Sequence, residues 1–159
     1  MKTIEDRLRA LEDLEEIRKL KARYAAACDD NYNAEAIAEL FTEDGVWDGA
    51  GFGRFTGRAA IRGFFRKVPQ RMAFAIHQVS NPIIEIDGER ARGQWYLLSP
   101  CTVRRESGNQ AYWLGAVYHE EYLKLGGQWL IKSLRGVGRL WAPYERGWAS
   151  APAAAAQAH

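Results

Sequence analysis

Residues 77–97 read HQVSNPIIEIDGERARGQWYL and decide the fold. An apolar run that alternates with polar residues leads to Asp87-Gly88, a dipeptide typical of a tight β-hairpin turn, and an aromatic run follows it. Residues 111–125 and 129–139 repeat this pattern after further turn sequences. We therefore predict four long antiparallel strands joined by short turns.

Three helices are predicted before these strands. Apolar residues recur three or four apart through residues 1–30, which is the spacing of one helix face, and Thr3 is placed to cap the start. Shorter helices are predicted at residues 34–41 and 58–68, the last ending before Pro69. Helices followed by strands indicate an α+β fold, in which a cone-shaped, curved, mostly antiparallel sheet carries three helices on its concave side and encloses a pocket.

The predicted domain covers residues 1–148. Residues 1–10 are interpreted as a possible helical arm, because the apolar stripe is longer than a small sheet can cover. The aromatic residues 140–148 are expected to fold over the pocket mouth or to dock on a neighbouring subunit. The Ala-rich residues 149–159 have no apolar face and are predicted to be disordered.

Composition restricts the class of protein. The chain has 159 residues, 47% of them hydrophobic, which is enough for a folded core. A net charge of +2 with interleaved signs gives no basis for nucleic-acid binding, and no apolar run is long enough for a membrane helix. Cys28 and Cys101 are far apart and fit a reducing compartment. We expect a cytoplasmic protein that binds neither nucleic acid nor membrane.

Asp29 and His77 are the candidates for an acid–base pair. Imidazole titrates near neutral pH and can take a proton, while a carboxylate orients the ring and stabilises the imidazolium. The alternative for His77 is a core or edge-strand histidine bonded to backbone, and the alternative for Asp29 is a polar helix end, with Asp30 as the other candidate carboxylate. Function depends on whether Asp29 and His77 meet.

The order of the segments resembles the SnoaL-like branch of the nuclear-transport-factor-2-like superfamily. The similarity covers roughly residues 4–139. It is carried by the segments RYAAACDD, LFTEDGVWD, FTGRAAIRGFF, HQVSNPIIEIDGERARGQWY and VYHEEYLKLGGQW. Within that branch the chain is most similar in pattern to the cofactor-free lyases of the scytalone dehydratase, bile acid 7α-dehydratase and hexachlorocyclohexane dehydrochlorinase group.

This resemblance implies roles for individual residues. Asp29 and His77 stand where those lyases carry their catalytic Asp–His pair, and Tyr24 stands where members carry a tyrosine or a lysine. An arginine on the last strand of the dehydrochlorinase corresponds to Arg135 only with a one-residue step, since Leu134 holds the aligned position. Arg135 is the candidate for a substrate-binding residue of the pocket on this resemblance. Relatives form trimers or dimers, so the resemblance and the outward-facing aromatics imply a homo-oligomer.

Aromatic side chains are the candidates for substrate contacts. Strand alternation is expected to point about half of the ring side chains into the hollow, and Trp47, Trp95 and Trp113 are the predicted pocket residues, although core packing is the simpler interpretation of any one ring. His119 and Glu121 share a strand face, but two ligands without a third do not make a metal site. We predict no metal and no cofactor.

The predicted function is a cofactor-independent lyase acting on a small hydrophobic molecule, aromatic or polycyclic. Dehydration or another β-elimination fits best, and retro-aldol cleavage or double-bond isomerisation would use the same base. The alternative is a non-catalytic domain of the same fold that binds a small ligand or supports an assembly, as the small subunit of an oxygenase does. The sequence contains no motif that identifies the substrate.

Overall fold

The computed structural model describes residues 3–49 and 51–149. Its elements, in chain order, are the helices α1 (Ile4–Asp29), α2 (Ala34–Glu39) and α3 (Arg58–Phe65) and the strands β1 (Phe41–Gly49), β2 (Gly53–Thr56), β3 (Met72–Ala75), β4 (Gln78–Asp87), β5 (Arg90–Arg105), β6 (Gly108–Leu125) and β7 (Gln128–Pro143). A 3₁₀ turn, Val68–Gln70, separates α3 from β3.

The fold is α+β, as predicted, with a curled and mostly antiparallel sheet. The strand order is β2-β1-β7-β6-β5, and the far edge of β5 pairs first with β4 and then with β3. Only the β1–β7 pair among these is parallel. The helices pack on one face, called here the inner face, which also carries the buried Trp95, Tyr118 and Leu134.

Local sequence signals set the helix ends. Thr3 caps α1 and forms a capping box with Asp6, in which each side chain accepts a hydrogen bond from the other residue's main-chain N–H. The third helix ends at Phe65, ahead of Pro69, which confirms the predicted stop. Within the predicted arm, residues 4–10 are helical and exposed, while residues 1 and 2 lie outside the described residues.

The C-terminal aromatic segment packs against the end of β6. Residues 140–143 complete β7, and the Trp141 ring stacks on Tyr112 with centroids 4.5 Å apart. Trp148 meets Trp113 edge-to-face at 5.7 Å. Of the predicted tail, residues 150–159 lie outside the described residues.

The inner face holds two apolar clusters. The larger lies under the three helices and includes Leu97 and Tyr118, and the smaller consists of Met72, Cys101, Val103 and Tyr112. Three partly buried side chains pack against both clusters: Tyr32, Val68 and Leu114. The boundary between the clusters, which we call the seam, is therefore lined by side chains that are incompletely buried.

A buried ion pair joins α1 to the sheet. Lys21 donates to the Glu120 carboxylate, and both side chains are 0% exposed. Tyr122 donates to the other carboxylate oxygen and accepts a hydrogen bond from Trp95 Nε1 at 2.9 Å. Burial lowers the pKa of Lys21, and the neighbouring Glu120 opposes that effect. Each charge therefore depends on its partner for compensation.

Among the described residues, no helix is both long enough and apolar enough to cross a membrane.

We expect Glu120→Gln to destabilise the protein by about 3–5 kcal/mol, because it leaves the Lys21 ammonium buried without a counter-ion. Adding Lys21→Met should restore most of that loss, since the double variant buries no charge and keeps an acceptor for Tyr122. Urea unfolding of both variants tests this, with Lys19→Met at the exposed Lys19–Glu16 pair as a control that changes stability little. A double variant as unstable as Glu120→Gln would contradict the interpretation.

Candidate active site

Asp29 and His77 meet at a break in the sheet edge. Residues 76 and 77 interrupt what the sequence predicts as one strand, leaving β3 and β4 on either side. The main-chain N–H of His77 donates to Asp29 Oδ1 at 2.9 Å, and His77 Nδ1 lies 2.8 Å from the same oxygen. One carboxylate oxygen at the end of α1 thus holds both the backbone and the ring of His77.

This contact fixes the tautomer of the ring. A carboxylate oxygen can only accept, so Nδ1 carries the hydrogen and Nε2 keeps its lone pair. Burial lowers the pKa of His77 from its ordinary value of 6.5, and it outweighs Asp29, which acts to raise that pKa. The ring is therefore neutral at physiological pH, the state a base requires.

Tyr32 fixes the ring from the side. Its ring meets His77 edge-to-face with centroids 5.7 Å apart and stacks on Phe65 at 6.3 Å. The Tyr32 backbone has a φ of 55°, a left-handed conformation that is unfavourable for a bulky residue. Sequence reasoning treated this segment only as a helix end and missed the residue. The aromatic residue between Asn31 and Asn33, three positions after Asp29, was the available signal.

Tyr24 lies in the core, five residues before Asp29 on α1. It is 2% exposed, and its hydroxyl accepts a hydrogen bond from Trp47 Nε1 at 2.8 Å. Burial raises the pKa of Tyr24 well above 10.0, so the phenol stays neutral. Its side chain contacts core residues that include Trp47, Phe41 and Tyr118.

Lys21 is the charged residue that sequence reasoning missed. Its ammonium lies 3.7 Å from the ring centroid of Tyr118 and 4.6 Å from that of Tyr24. Its positive charge also acts to lower the pKa of His77. The signal was present: Lys21 is four residues after Ile17 and three before Tyr24, which places a charge on the apolar face of α1.

The predicted pocket residues divide between the two faces of the sheet. Trp47 and Trp95 lie on the inner face, where each indole N–H donates to a tyrosine hydroxyl. Trp113 and Arg135 lie on the outer face, which corrects the prediction that they share a pocket with His77. Arg135 pairs with the exposed His119, while Leu134 holds the inner position opposite Glu120. A one-residue step along a strand reverses the face.

Strand β6, which contains His119, also divides its polar residues between the two faces of the sheet. His119 and Glu121 are exposed on the outer face, and Glu120 is buried in its pair with Lys21. A cavity of about 620 Å³ on the outer face is lined in part by Asp48, Arg54, His119, Glu121 and Arg135. It lies on the other side of the sheet from His77.

The sequence of the chain matches a known protein family. The model of a family described as the SnoaL-like domain matches residues 9–135. No curated protein matches the chain by sequence.

Several solved structures are similar in fold. The hexachlorocyclohexane dehydrochlorinase LinA-type3 from Novosphingobium barchaimii has a TM-score of 0.77 at 23% identity, with 86% of this chain and 92% of that chain covered. A protein described as a scytalone dehydratase from Novosphingobium aromaticivorans has a TM-score of 0.74 at 22% identity, covering 85% and 89%. A variant of Rv3472, a protein of unknown function from Mycobacterium tuberculosis, has a TM-score of 0.69 at 26% identity, covering 83% and 75%.

We expect the pKa of His77 to lie below 6.5 and to fall further in Asp29→Asn, because the substitution removes the negative charge that favours the imidazolium. Titration of the imidazole C–H resonances by NMR measures both values, and the His77→Gln spectrum assigns the signal. The imidazole of His119, exposed on the outer face, supplies the internal reference resonance in both proteins. A His77 pKa that rises in Asp29→Asn would contradict the geometry.

Proposed function

Because the chain belongs to the SnoaL-like family, we propose that it is a cofactor-independent lyase or isomerase that removes a carbon-bound proton with the Asp29–His77 pair. The observation that carries this proposal is the 2.8 Å contact between His77 Nδ1 and Asp29 Oδ1, which leaves Nε2 as the free base. The proposed substrate is a small hydrophobic molecule, aromatic or polycyclic. Solved relatives described as a dehydrochlorinase and a scytalone dehydratase share the fold and support this class of reaction.

The proposed reaction is a β-elimination. Nε2 of His77 takes the proton, and the electrons of the C–H bond form the new C=C bond as the leaving group departs from the adjacent carbon with its bonding pair. Asp29 stabilises the imidazolium that results. When the leaving group is hydroxide, the imidazolium returns its proton to it and water is released. In an isomerisation the same proton returns to a different carbon.

Two core residues support the base in this proposal. Tyr24 fixes the packing of α1 against Trp47, and its hydroxyl remains a neutral donor. Lys21 places a fixed positive charge in the core, which favours the neutral imidazole at rest. Neither residue replaces His77 as the group that receives the proton.

A non-catalytic binding domain is the second candidate function. It is favoured by the positions of three cavities of about 730, 620 and 760 Å³, none of which is lined by Asp29 or His77. The His77 side chain is also only 9% exposed, which leaves little of the ring open to a substrate. An assay of proton abstraction distinguishes the two functions, because a binding domain has no use for a base.

We expect the protein to accelerate exchange of the acidic carbon-bound protons of 2-tetralone in D₂O, a reaction that needs a base and no leaving group. His77→Ala should reduce the acceleration by about a hundredfold or more, since a general base contributes about 10²–10⁴ in rate. Asp29→Asn should also be severe, and Tyr24→Phe milder, because it removes one hydroxyl and keeps the ring. Exchange is followed by NMR.

The matched control for that experiment is His119→Ala, which removes the exposed outer-face imidazole and should leave exchange unchanged. Exchange that is equally fast in His77→Ala and the unsubstituted protein would rule out the lyase and leave the binding domain.

We also propose that the chain forms a homo-oligomer, a dimer or a trimer, through the outer face of β3 and β5. Four large apolar side chains on β5, on β3 and in the break that follows β3 are between 41% and 50% exposed: Phe74, Ile76, Tyr96 and Leu98. A contiguous apolar surface of this kind is typical of an interface. Leu98→Glu should shift the mass measured by light scattering to that of a monomer, whereas Leu125→Glu, at an exposed leucine beside the β6–β7 turn, should not. A monomeric parent protein would contradict this proposal.

A further inference from the structure

Ser99 presents a buried hydroxyl that has no partner. Among the described side chains, two buried polar atoms lack a hydrogen bond, Ser99 Oγ and Arg62 Nε. Arg62 Nε nevertheless lies 2.6 Å from the Glu35 carboxylate, so its charge is compensated. Ser99 is 1% exposed and has no such compensation. A buried polar group without a partner destabilises a fold, so each case calls for an explanation.

The sheet register places Ser99 directly opposite His77. Ala75 pairs with Cys101 on one side of the strand break and Gln78 pairs with Leu98 on the other, with the same offset. Residues opposite each other in an antiparallel pair project from the same face, with Cα atoms about 5 Å apart. His77 and Ser99 therefore lie side by side on the inner face.

Ser99 also lies at the seam. Leu97, two residues before it, belongs to the larger apolar cluster, and Cys101, two residues after it, belongs to the smaller one. On its other side Ser99 pairs with Leu114, one of the partly buried residues that pack against both clusters. A molecule that enters the seam beside His77 would therefore meet the Ser99 hydroxyl as a polar group among apolar side chains.

We propose that Ser99 Oγ–H donates a hydrogen bond to an oxygen of the substrate, one or two bonds from the carbon whose proton His77 removes. The substrate class is then a hydroxy or oxo compound rather than an organohalide without such an oxygen, since oxygen accepts a hydrogen bond well and carbon-bound chlorine accepts it poorly. This inference rests on the proposed function for the identity of the reacting carbon, but the oxygen site itself is defined by Ser99.

Binding of matched ligands tests the oxygen site without requiring turnover. The probes are 1-naphthol and 1-chloronaphthalene, which share a bicyclic ring and differ in the atom it carries. We expect the protein to prefer 1-naphthol by roughly fivefold to tenfold, the worth of one net hydrogen bond, and Ser99→Ala to lose that preference. Ser99→Thr, which keeps a hydroxyl, should retain it, and Ser80→Ala, at an exposed serine on β4, should not change it. Calorimetry measures the dissociation constants.

Thermal unfolding separates this role from a structural one. Removing a hydroxyl without a partner should leave the Tm of Ser99→Ala unchanged or raised, because no protein hydrogen bond is lost. A fall in Tm together with an unchanged ligand preference would overturn the proposal. Absence of any preference for 1-naphthol in the unsubstituted protein would overturn it as well.

Reaction of 3-hydroxy-1-tetralone and 3-chloro-1-tetralone then locates the oxygen, because elimination from either gives the same enone, which tautomerises to 1-naphthol. If Ser99→Ala slows only the hydroxy compound, the oxygen is that of the leaving group. If it slows both, the oxygen is the carbonyl, and equal rates in both proteins would overturn the role of Ser99 in catalysis. A preserved naphthol preference with no elimination or proton exchange would keep the oxygen site and reject the lyase.

Discussion

The Asp29 carboxylate holds a helix and a sheet edge together through one oxygen atom. That oxygen accepts from both the main chain and the ring of His77 at 2.9 and 2.8 Å. The two bonds compensate for the break between β3 and β4, where the His77 N–H leaves the strand ladder. They also fix the tautomer of the imidazole and place its ring edge-to-face against Tyr32. The position of the imidazole therefore depends on where α1 ends.

Burial and charge oppose each other in the core beneath that contact. Lys21 keeps its charge in a fully buried position because Glu120 pairs with it, and Tyr122 and Trp95 complete the hydrogen bonds. Burial lowers the pKa of His77, and the Lys21 charge acts in the same direction. Together they outweigh Asp29, so the imidazole is not a cation. Without Glu120, the buried Lys21 ammonium near His77 would destabilise the fold. A protonated His77, in turn, could not accept a proton. The ion pair thus makes a neutral imidazole compatible with a charged core.

The sequence predicted the elements of this fold because their signals are local. The capping box at Thr3, the stop before Pro69 and the Asp87-Gly88 hairpin each involve residues a few positions apart. The Asp29–His77 contact was predictable through the family resemblance, since 48 residues separate the two. The strand break at His77 was not, because it arises from competition between a ladder hydrogen bond and a distant carboxylate. Arg135 was assigned to the wrong face for a related reason: a step of one residue reverses a strand side chain, and similarity alone does not determine that step.

Two separate features of the fold place the parts of the candidate site. The position of His77 depends on the contact between the end of α1 and the strand break, whereas the position of Ser99 depends on the register of β5 against β3 and β4. A substitution at Ser99 can therefore change which atom of a substrate is recognised without moving His77. The neighbouring seam residues Leu114 and Val68 come from β6 and the 3₁₀ turn, so the apolar wall can vary independently as well. The residues around the Asp29–His77 pair can therefore change while the pair itself stays in place, which is a physical reason why one fold can carry different functional sites.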